Sequence, residues 1–124
     1  HYVPRRRLKT VGGESVEGVT IPDDEIRPWV VGLLEKIGAM GGCGPITAQA
    51  FLSPDGPMVS EINPRFGGGF PLALAAGADY PELIMQVVEG RQVQPAIGQY
   101  RKNLFMTRYY VELILEQPLW KDPQ

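Results

Sequence analysis

Residues 58–69 read MVSEINPRFGGG, and the rest of the chain is organised around them. The alternation of apolar and polar residues up to Asn63 predicts a β-strand, which Pro64 closes. A carboxylate (Glu61), an amide (Asn63) and a guanidinium (Arg65) fall close together, directly before three glycines. The stretch therefore predicts a strand that delivers polar groups to a site at its end.

The residues before this strand are suited to a tight hairpin turn. Pro54 presets the first central position, Asp55 favours the second, and Gly56 tolerates a positive φ. With Ser53 facing Pro57, these residues predict a three-residue loop, in which a type I turn is followed by a left-handed glycine that forms a bulge.

This hairpin fixes which residues lie opposite one another. The expected pairs with the partner strand, residues 46–52, are Phe51 with Val59, Gln49 with Glu61 and Thr47 with Asn63. Directly opposite residues have Cβ atoms roughly 4.5–5.5 Å apart. Gln49, Glu61 and Asn63 are therefore expected to converge with their oxygen atoms, whereas a slip of one residue would separate them onto opposite faces.

The rest of the chain predicts a small mixed domain. The expected elements are a strand at 2–10, a loop at 11–18, a helix at 26–37, the hairpin, helices at 72–78 and 83–88, and a strand at 104–115. Asp23 or Asp24 would cap the first helix, and Asp79 with Glu82 would form a capping box on the last. We predict an α+β fold, an antiparallel sheet with helices packed on one face.

Composition and charge argue against several classes of protein. The 124 residues suffice for one domain or less, and the net charge of −2 argues against a nucleic-acid or membrane-surface partner. Cys43 is the single cysteine, so no disulfide can form within the chain. No histidine accompanies it in the sequence, since His1 is the only one, and a Cys–His catalytic pair is therefore not expected. No apolar run has membrane-spanning length, and a cytoplasmic location is expected.

The N-terminal strand carries a local excess of positive charge. Arg5, Arg7 and Lys9 share one face by the strand period of two. They either face an anion or belong to a solvated edge strand, whose charges discourage aggregation. The sequence leaves both interpretations open.

The oxygen atoms of Gln49, Glu61 and Asn63 suit a hard cation. Magnesium fits better than zinc, because no thiolate or imidazole accompanies them. One carboxylate gives too little charge for an all-protein site, and magnesium usually completes its shell with water and substrate phosphates. Arg65 would then bind a phosphate oxygen, and the following glycines would let the backbone approach it. The alternative is a hairpin whose exposed face is simply polar.

The same residues resemble the magnesium-binding end of the ATP-grasp superfamily, above all its carbamoyl-phosphate-synthase-like members. The resemblance rests on EINPR at 61–65 with Gln49 upstream, and on the flanking runs GPITAQ at 44–49 and FGGGFPLALAAGADYPELI at 66–84. The strand with Arg5 to Arg7 and the following GGES are similar to the upstream segment of that domain. The likeness spans residues 3–115.

The resemblance implies that residues 1–117 are the C-terminal lobe of an ATP-grasp domain, with residues 118–124 as a tail. The family holds ATP between two lobes, so an N-terminal lobe, missing from this chain, is expected as a partner. By position, Glu61 would bridge two magnesium ions, Asn63 would bind one of them and Gln49 the other. Many members carry Glu or Asp in place of Gln49, which puts one of the two metal sites in doubt.

The implied activity is that of an ATP-dependent ligase, a carboxylate–amine ligase or a carbamoyl-phosphate-synthase-like enzyme. A small carboxylate or bicarbonate-like substrate would be phosphorylated by ATP, and an amine or similar nucleophile would displace the phosphate. We assign Arg5, Arg7, Lys9 and Arg65 to ATP, Arg65 also to catalysis, and Mg²⁺, or Mn²⁺ in its place, to the oxygen cluster. A homo-oligomer stays open. The alternative function is a non-catalytic module for nucleotide sensing or subunit assembly.

The chain alone is expected not to turn over ATP. The lysine pair and the glycine-rich loop that hold the triphosphate in this family are absent from the sequence and would lie upstream of it. Phosphate release by the purified chain with Mg²⁺–ATP should therefore stay at the background rate. Steady release that Glu61→Ala abolishes would overturn this expectation.

Overall fold

The computed structural model describes residues 1–116, which form five strands and three helices. In chain order these are β1 (Arg5–Val11), β2 (Glu14–Thr20), α1 (Arg27–Ala39), β3 (Thr47–Ser53), β4 (Gly56–Asn63), α2 (Phe70–Ala75), α3 (Tyr80–Val88) and β5 (Phe105–Thr107). The strands pair antiparallel, which confirms the α+β class. They form two sheets, a three-stranded sheet in the order β1-β2-β5 and the hairpin β3-β4. The tail expected at residues 118–124 lies outside the described residues.

A glycine turn joins β1 to β2. Gly12 and Gly13 have φ values of 57° and 83°, as a two-residue hairpin turn with two left-handed positions requires. The loop predicted at residues 11–18 is therefore wrong, because the chain continues as β2 from Glu14 onward. The polar residues and the internal glycine of β2 give this strand the composition of a loop.

The last strand is shorter than the prediction of 104–115. β5 spans Phe105–Thr107 and pairs with β2. Because the pairing is antiparallel, residues after β5 approach the beginning of β2, which has few residues left to pair. Arg108 still donates its backbone N–H to the carbonyl of Val16 at 2.8 Å.

The hairpin has the predicted register at the end that carries the polar residues. Gln49 faces Glu61 and Thr47 faces Asn63. A bulge lies directly beside these pairs, where Ser60 on β4 has no partner on β3. Its hydroxyl donates to the carbonyl of Gln49 at 3.3 Å.

Nearer the turn the predicted register is wrong by one residue. The loop has two residues instead of three, so Ser53 faces Gly56, and Phe51 faces Met58 instead of Val59. Gly56 has a φ of 111° and accepts a hydrogen bond from the Ser53 hydroxyl at its carbonyl, 2.8 Å away. The bulge adds the residue that the shorter loop removes. The predicted hairpin and the observed one therefore have the same pairing at the polar end.

One of the two predicted helix caps is present. The Asp79 half of the predicted capping box forms, because its carboxylate accepts from the backbone N–H of Glu82 at 3.1 Å, at the start of α3. The Glu82 carboxylate instead accepts from Gln86 Nε2 at 2.9 Å. The cap predicted for α1 is wrong, because Ile26 occupies that position and its side chain makes no capping bond. Asp23 is fully buried and has other partners, whereas Asp24 is exposed.

Helix α2 packs on β2 and covers one face of the larger sheet. Its Leu72 and Ala73 are both 3% exposed, and Ala76, directly after the helix, is 1% exposed. It ends before the predicted boundary of residue 78, because Gly77 adopts a φ of 104° and closes the last turn. No helix within residues 1–116 is long and apolar enough to cross a membrane.

Asp23 ties the N-terminus, α1 and the loop before β5 together. Its carboxylate accepts from the Tyr2 hydroxyl at 2.5 Å and from Arg27 Nε and Nη2 at 3.0 and 3.1 Å. Lys102 Nζ lies 3.6 Å away. The hydrogen bonds from Arg27 hold the pKa of Asp23 well below its usual range, although burial acts in the opposite direction. Burial and the bond to this carboxylate raise the pKa of Tyr2 to about 12.

This arrangement predicts a specific acid sensitivity. An unfolded Asp has a pKa of about 3.9. Since the folded pKa of Asp23 is lower, its stabilising effect is complete above the unfolded value and is lost as the pH falls through the folded value. Asp23→Asn should therefore lower the free energy of unfolding at pH 7 by about 2 kcal/mol and reduce its decline below about pH 4.

Urea unfolding between pH 3 and pH 7 measures both effects. Asp24→Asn is the matched control, because this neighbouring carboxylate is 70% exposed and its loss should change stability by less than about 0.5 kcal/mol. If the free energy of unfolding fell equally at acid pH in the wild type and in Asp23→Asn, Asp23 would not be the source of the acid sensitivity.

Candidate functional site

Three polar side chains meet at the end of the β3–β4 hairpin. Gln49 Nε2 donates to Glu61 Oε2 at 2.7 Å, and Asn63 Nδ2 donates to Glu61 Oε1 at 2.6 Å. Cross-strand pairing brings Gln49 to the carboxylate, and the strand period of two brings Asn63 to it. The predicted convergence of the three side chains is confirmed, but the amides of Gln49 and Asn63 turn their nitrogens, and not their oxygens, toward the carboxylate. The role of the three residues as metal ligands stays a prediction.

The donor set of this oxygen cluster, Gln49, Glu61 and Asn63, fits a hard cation with external ligands. Each amide uses its N–H group on the carboxylate, which leaves its carbonyl oxygen available. The terminal torsion of an amide side chain is broad and roughly two-fold, so either oxygen can turn toward a cation that binds Glu61. Within residues 1–116, no three His, Cys, Asp or Glu side chains group as metal ligands. Water and the oxygen atoms of a bound anion would complete the shell of a cation here.

The glycine loop, residues 67–69, follows the cluster directly and packs against β3. The Thr47 hydroxyl donates to the carbonyl of Arg65 at 2.9 Å. A Cβ on Gly67 would lie 2.8 Å from Thr47 Cγ2, so a larger residue would push the loop away. Arg65 Nη1 donates to the carbonyl of Phe66 at 3.0 Å, which places the guanidinium over its own loop and leaves other N–H groups for a ligand.

Arg5 reaches the same loop from β1. A Cβ on Gly69 would coincide with the Arg5 guanidinium, so glycine is what allows the two segments to approach. Burial lowers the pKa of Arg5, and Tyr80 lies close enough to oppose this effect. No carboxylate of residues 1–116 forms an ion pair with this guanidinium. Arg5 is thus a half-buried cation next to the candidate site.

The other two basic residues of β1 are placed differently. Arg7 lines the same cleft as Arg5, but Lys9 does not. The register of β1 shifts on both sides of Lys9, so the alternation that placed all three on one face is interrupted. Arg7 and Lys9 are exposed, and their assignment to ATP stays a prediction.

A cleft of about 1100 Å³ opens beside the site. Gln49, Asn63 and Arg65 contribute to its lining, whereas the exposed Glu61 lies outside it, at the edge of the hairpin. Apolar residues of α1 and α3 form much of the remaining wall. The apolar stripe of α1, predicted to be buried, borders this cleft, and of its residues Ile37 is buried.

Sequence reasoning missed two residues that hold the glycine loop. The sequence predicts Thr47 only as a strand residue, yet its hydroxyl donates to the carbonyl of Arg65 before the loop. Arg108 falls inside the long predicted strand, yet its guanidinium donates to the carbonyl of Gly68. Arg108 is the single basic residue in the largely apolar run 104–115, and this isolated charge is the feature of the sequence that could have indicated its role.

Comparisons with known proteins give no family for this chain. No protein-family model matches it, and no curated protein matches it significantly.

The contact between Gly67 and Thr47 gives a test of the loop position. Gly67→Ala should lower the free energy of unfolding by about 1–3 kcal/mol, because the added methyl group overlaps the Thr47 side chain. Adding Thr47→Ala should recover part of this loss, since it removes the two closest atoms. Thermal and urea unfolding measure both.

Gly32→Ala is the matched control for Gly67→Ala. Its Cβ would have open space within helix α1, and the substitution should raise stability by about 0.5–1 kcal/mol. If Gly67→Ala were as stable as the wild type, the close approach of the loop to β3 would be refuted.

Proposed function

We propose that the oxygen cluster and the glycine loop are the Mg²⁺–ATP-binding surface of an ATP-grasp-type ligase, with this chain as its C-terminal lobe. The observation that carries the proposal is the convergence of Gln49, Glu61 and Asn63 directly before Arg65. A subunit-assembly module needs none of these groups in this arrangement.

The cation side of the proposal follows from the donor set. Glu61 would hold Mg²⁺, assisted by the amide oxygens of Gln49 and Asn63. One carboxylate and two amides give a single negative charge, so phosphate oxygens would complete the shell and make binding of cation and nucleotide interdependent. When bound, Mg²⁺ neutralises charge on the phosphates and orients them.

The phosphate side of the proposal follows from the loop. Arg5 and Arg65 bring two guanidinium groups to the glycine loop, and the first of them has no carboxylate partner in the described chain. Guanidinium groups bind phosphate oxygens in bidentate geometry. A glycine loop lets the backbone approach a ligand closely. The cleft volume of about 1100 Å³ is large enough for a nucleotide-sized ligand.

The proposed reaction is attack of a substrate carboxylate or bicarbonate oxygen on the γ-phosphorus of ATP. The new O–P bond forms as the bond to ADP breaks, and an amine or similar nucleophile later displaces inorganic phosphate. Arg65 and Arg5 would stabilise the negative charge on the transferred phosphoryl group. The opposite lobe would supply the remaining ATP contacts.

Titration with preformed Mn²⁺–ATP tests the proposal by NMR. Mn²⁺ should broaden the side-chain amide signals of Gln49 and Asn63 before those of distant residues. Glu61→Gln should weaken binding by about tenfold or more, because it removes the one anionic ligand. Glu35→Gln, on the exposed side of α1, is the matched control and should leave binding unchanged.

Two results would count against the proposal. The first is binding that ignores both Glu61→Gln and Asn63→Ala, which would place the ion elsewhere. The second is broadening by free Mn²⁺ that ATP does not enhance, because a site with one carboxylate needs the phosphates to complete its shell.

A further inference from the structure

We propose that Arg108 is a positioning residue that holds the glycine loop against the three-stranded sheet, next to the oxygen cluster. Its Nη2 donates to the carbonyl of Gly68. Its own backbone is fixed, because its N–H donates to the carbonyl of Val16 on β2 at 2.8 Å. The side chain therefore extends from a defined point of the sheet to the middle of the loop.

Glu14 steadies the guanidinium from the other side. Glu14 Oε2 lies 3.5 Å from Arg108 Nη1, while Arg108 Nη2 serves the loop. The guanidinium fork can bind two acceptors at once in fixed directions, which lysine cannot reproduce. Glu14 is the first residue of β2, so both ends of this chain of contacts belong to the same sheet.

The loop is held from the opposite side by the hairpin. Thr47 on β3 bonds the carbonyl of Arg65 and contacts the position of Gly67. The loop thus joins the sheet that carries Arg5 to the hairpin that carries the oxygen cluster. The location of Arg65 relative to that cluster depends on both attachments, and Arg108 provides one of them.

Arg108 acts through the loop and not by touching a ligand in the cleft. Gly68 lines the cleft, but Arg108 does not. The carbonyl oxygen of Gly68 accepts a hydrogen bond from Arg108, which lies outside the cleft. This bond directs the partial negative charge of the oxygen away from an anion bound in the cleft. Without Arg108, this oxygen would be free to turn toward the phosphates and repel them.

The test compares Arg108→Ala and Arg108→Gln with the wild type, and Arg101→Ala serves as the control at an exposed arginine. Without ligand, NMR follows the Gly67–Gly69 signals and the hydrogen exchange of the Phe70 amide, which donates to the carbonyl of Gly67 at 2.9 Å. We expect shifted loop signals and exchange that is about tenfold faster in Arg108→Ala, as for loss of one charge-assisted hydrogen bond. Arg108→Gln keeps a donor and should be intermediate.

A second arm rests on the proposed function and measures the affinity for Mn²⁺–ATP. Arg108→Ala should weaken it about tenfold. The melting temperature of Arg108→Ala should match those of Arg108→Gln and Arg101→Ala. Its affinity for free Mn²⁺ should not change, because the oxygen cluster itself is intact. Arg101→Ala should match the wild type in every measurement.

The outcomes separate the two proposals. Unchanged loop signals and exchange in Arg108→Ala would overturn the positioning role, whatever the ligand does. If the loop were displaced in Arg108→Ala but the affinity for Mn²⁺–ATP were unchanged, the proposal that Arg108 positions the loop for ligand binding would be overturned. If the wild type did not bind Mn²⁺–ATP, the proposed function would fail, and the ligand-free arm alone would support or overturn the attachment of the loop by Arg108.

Discussion

The pairing of Gln49 with Glu61 across the β3–β4 hairpin is the constraint on which the candidate site depends. A strand has a period of two, so a shift of one residue would send one of these side chains to the opposite face. Two irregularities offset each other to keep the pairing. The loop is one residue shorter than its composition predicts, and Ser60 adds one residue to β4 as a bulge. The bulge lies beside the carboxylate, where bulges commonly adjust the direction of functional side chains.

The second constraint is the close approach that the glycine loop allows. Two of its three glycines have a steric reason to lack a side chain, and the third takes part through its carbonyl. Gly67 lies against Thr47, Gly69 makes room for the guanidinium of Arg5, and Gly68 presents its carbonyl to Arg108. The loop is therefore packed between hairpin and sheet and is not a flexible connection. Two basic residues, Arg5 and Arg108, contact this loop, which follows the oxygen cluster directly in the sequence.

The structure is anchored at a distance from this site by Asp23. A fully buried carboxylate is unfavourable unless it is paired, and here a bidentate arginine and a tyrosine hydroxyl satisfy it. The N-terminus and the loop before β5 thereby lie beside the start of α1. The loop before β5 is also bound directly to β2, because Asn103 donates its N–H to the carbonyl of Thr20 at 2.9 Å.

The sequence by itself determined the α+β class, the existence of the hairpin, its register at the polar end and the convergence of Gln49, Glu61 and Asn63. These features follow from local rules, since turn residues and strand periodicity act within about 20 residues of chain. The Asp79 cap is equally local, and it was also predicted correctly.

Only the tertiary structure decided the features that join distant segments. Asp23 had the right residue type for a cap, but Arg27 and Tyr2 compete for its carboxylate. The length of β5 depends on how much of β2 remains to be paired, and the hydrophobic alternation of residues 104–115 carries no such information. The contacts of Arg5 and Arg108 with the glycine loop join positions that are 64 and 40 residues apart in the chain, as 69 − 5 and 108 − 68 show. No local pattern encodes such contacts, because they depend on where the glycine loop lies relative to the sheet.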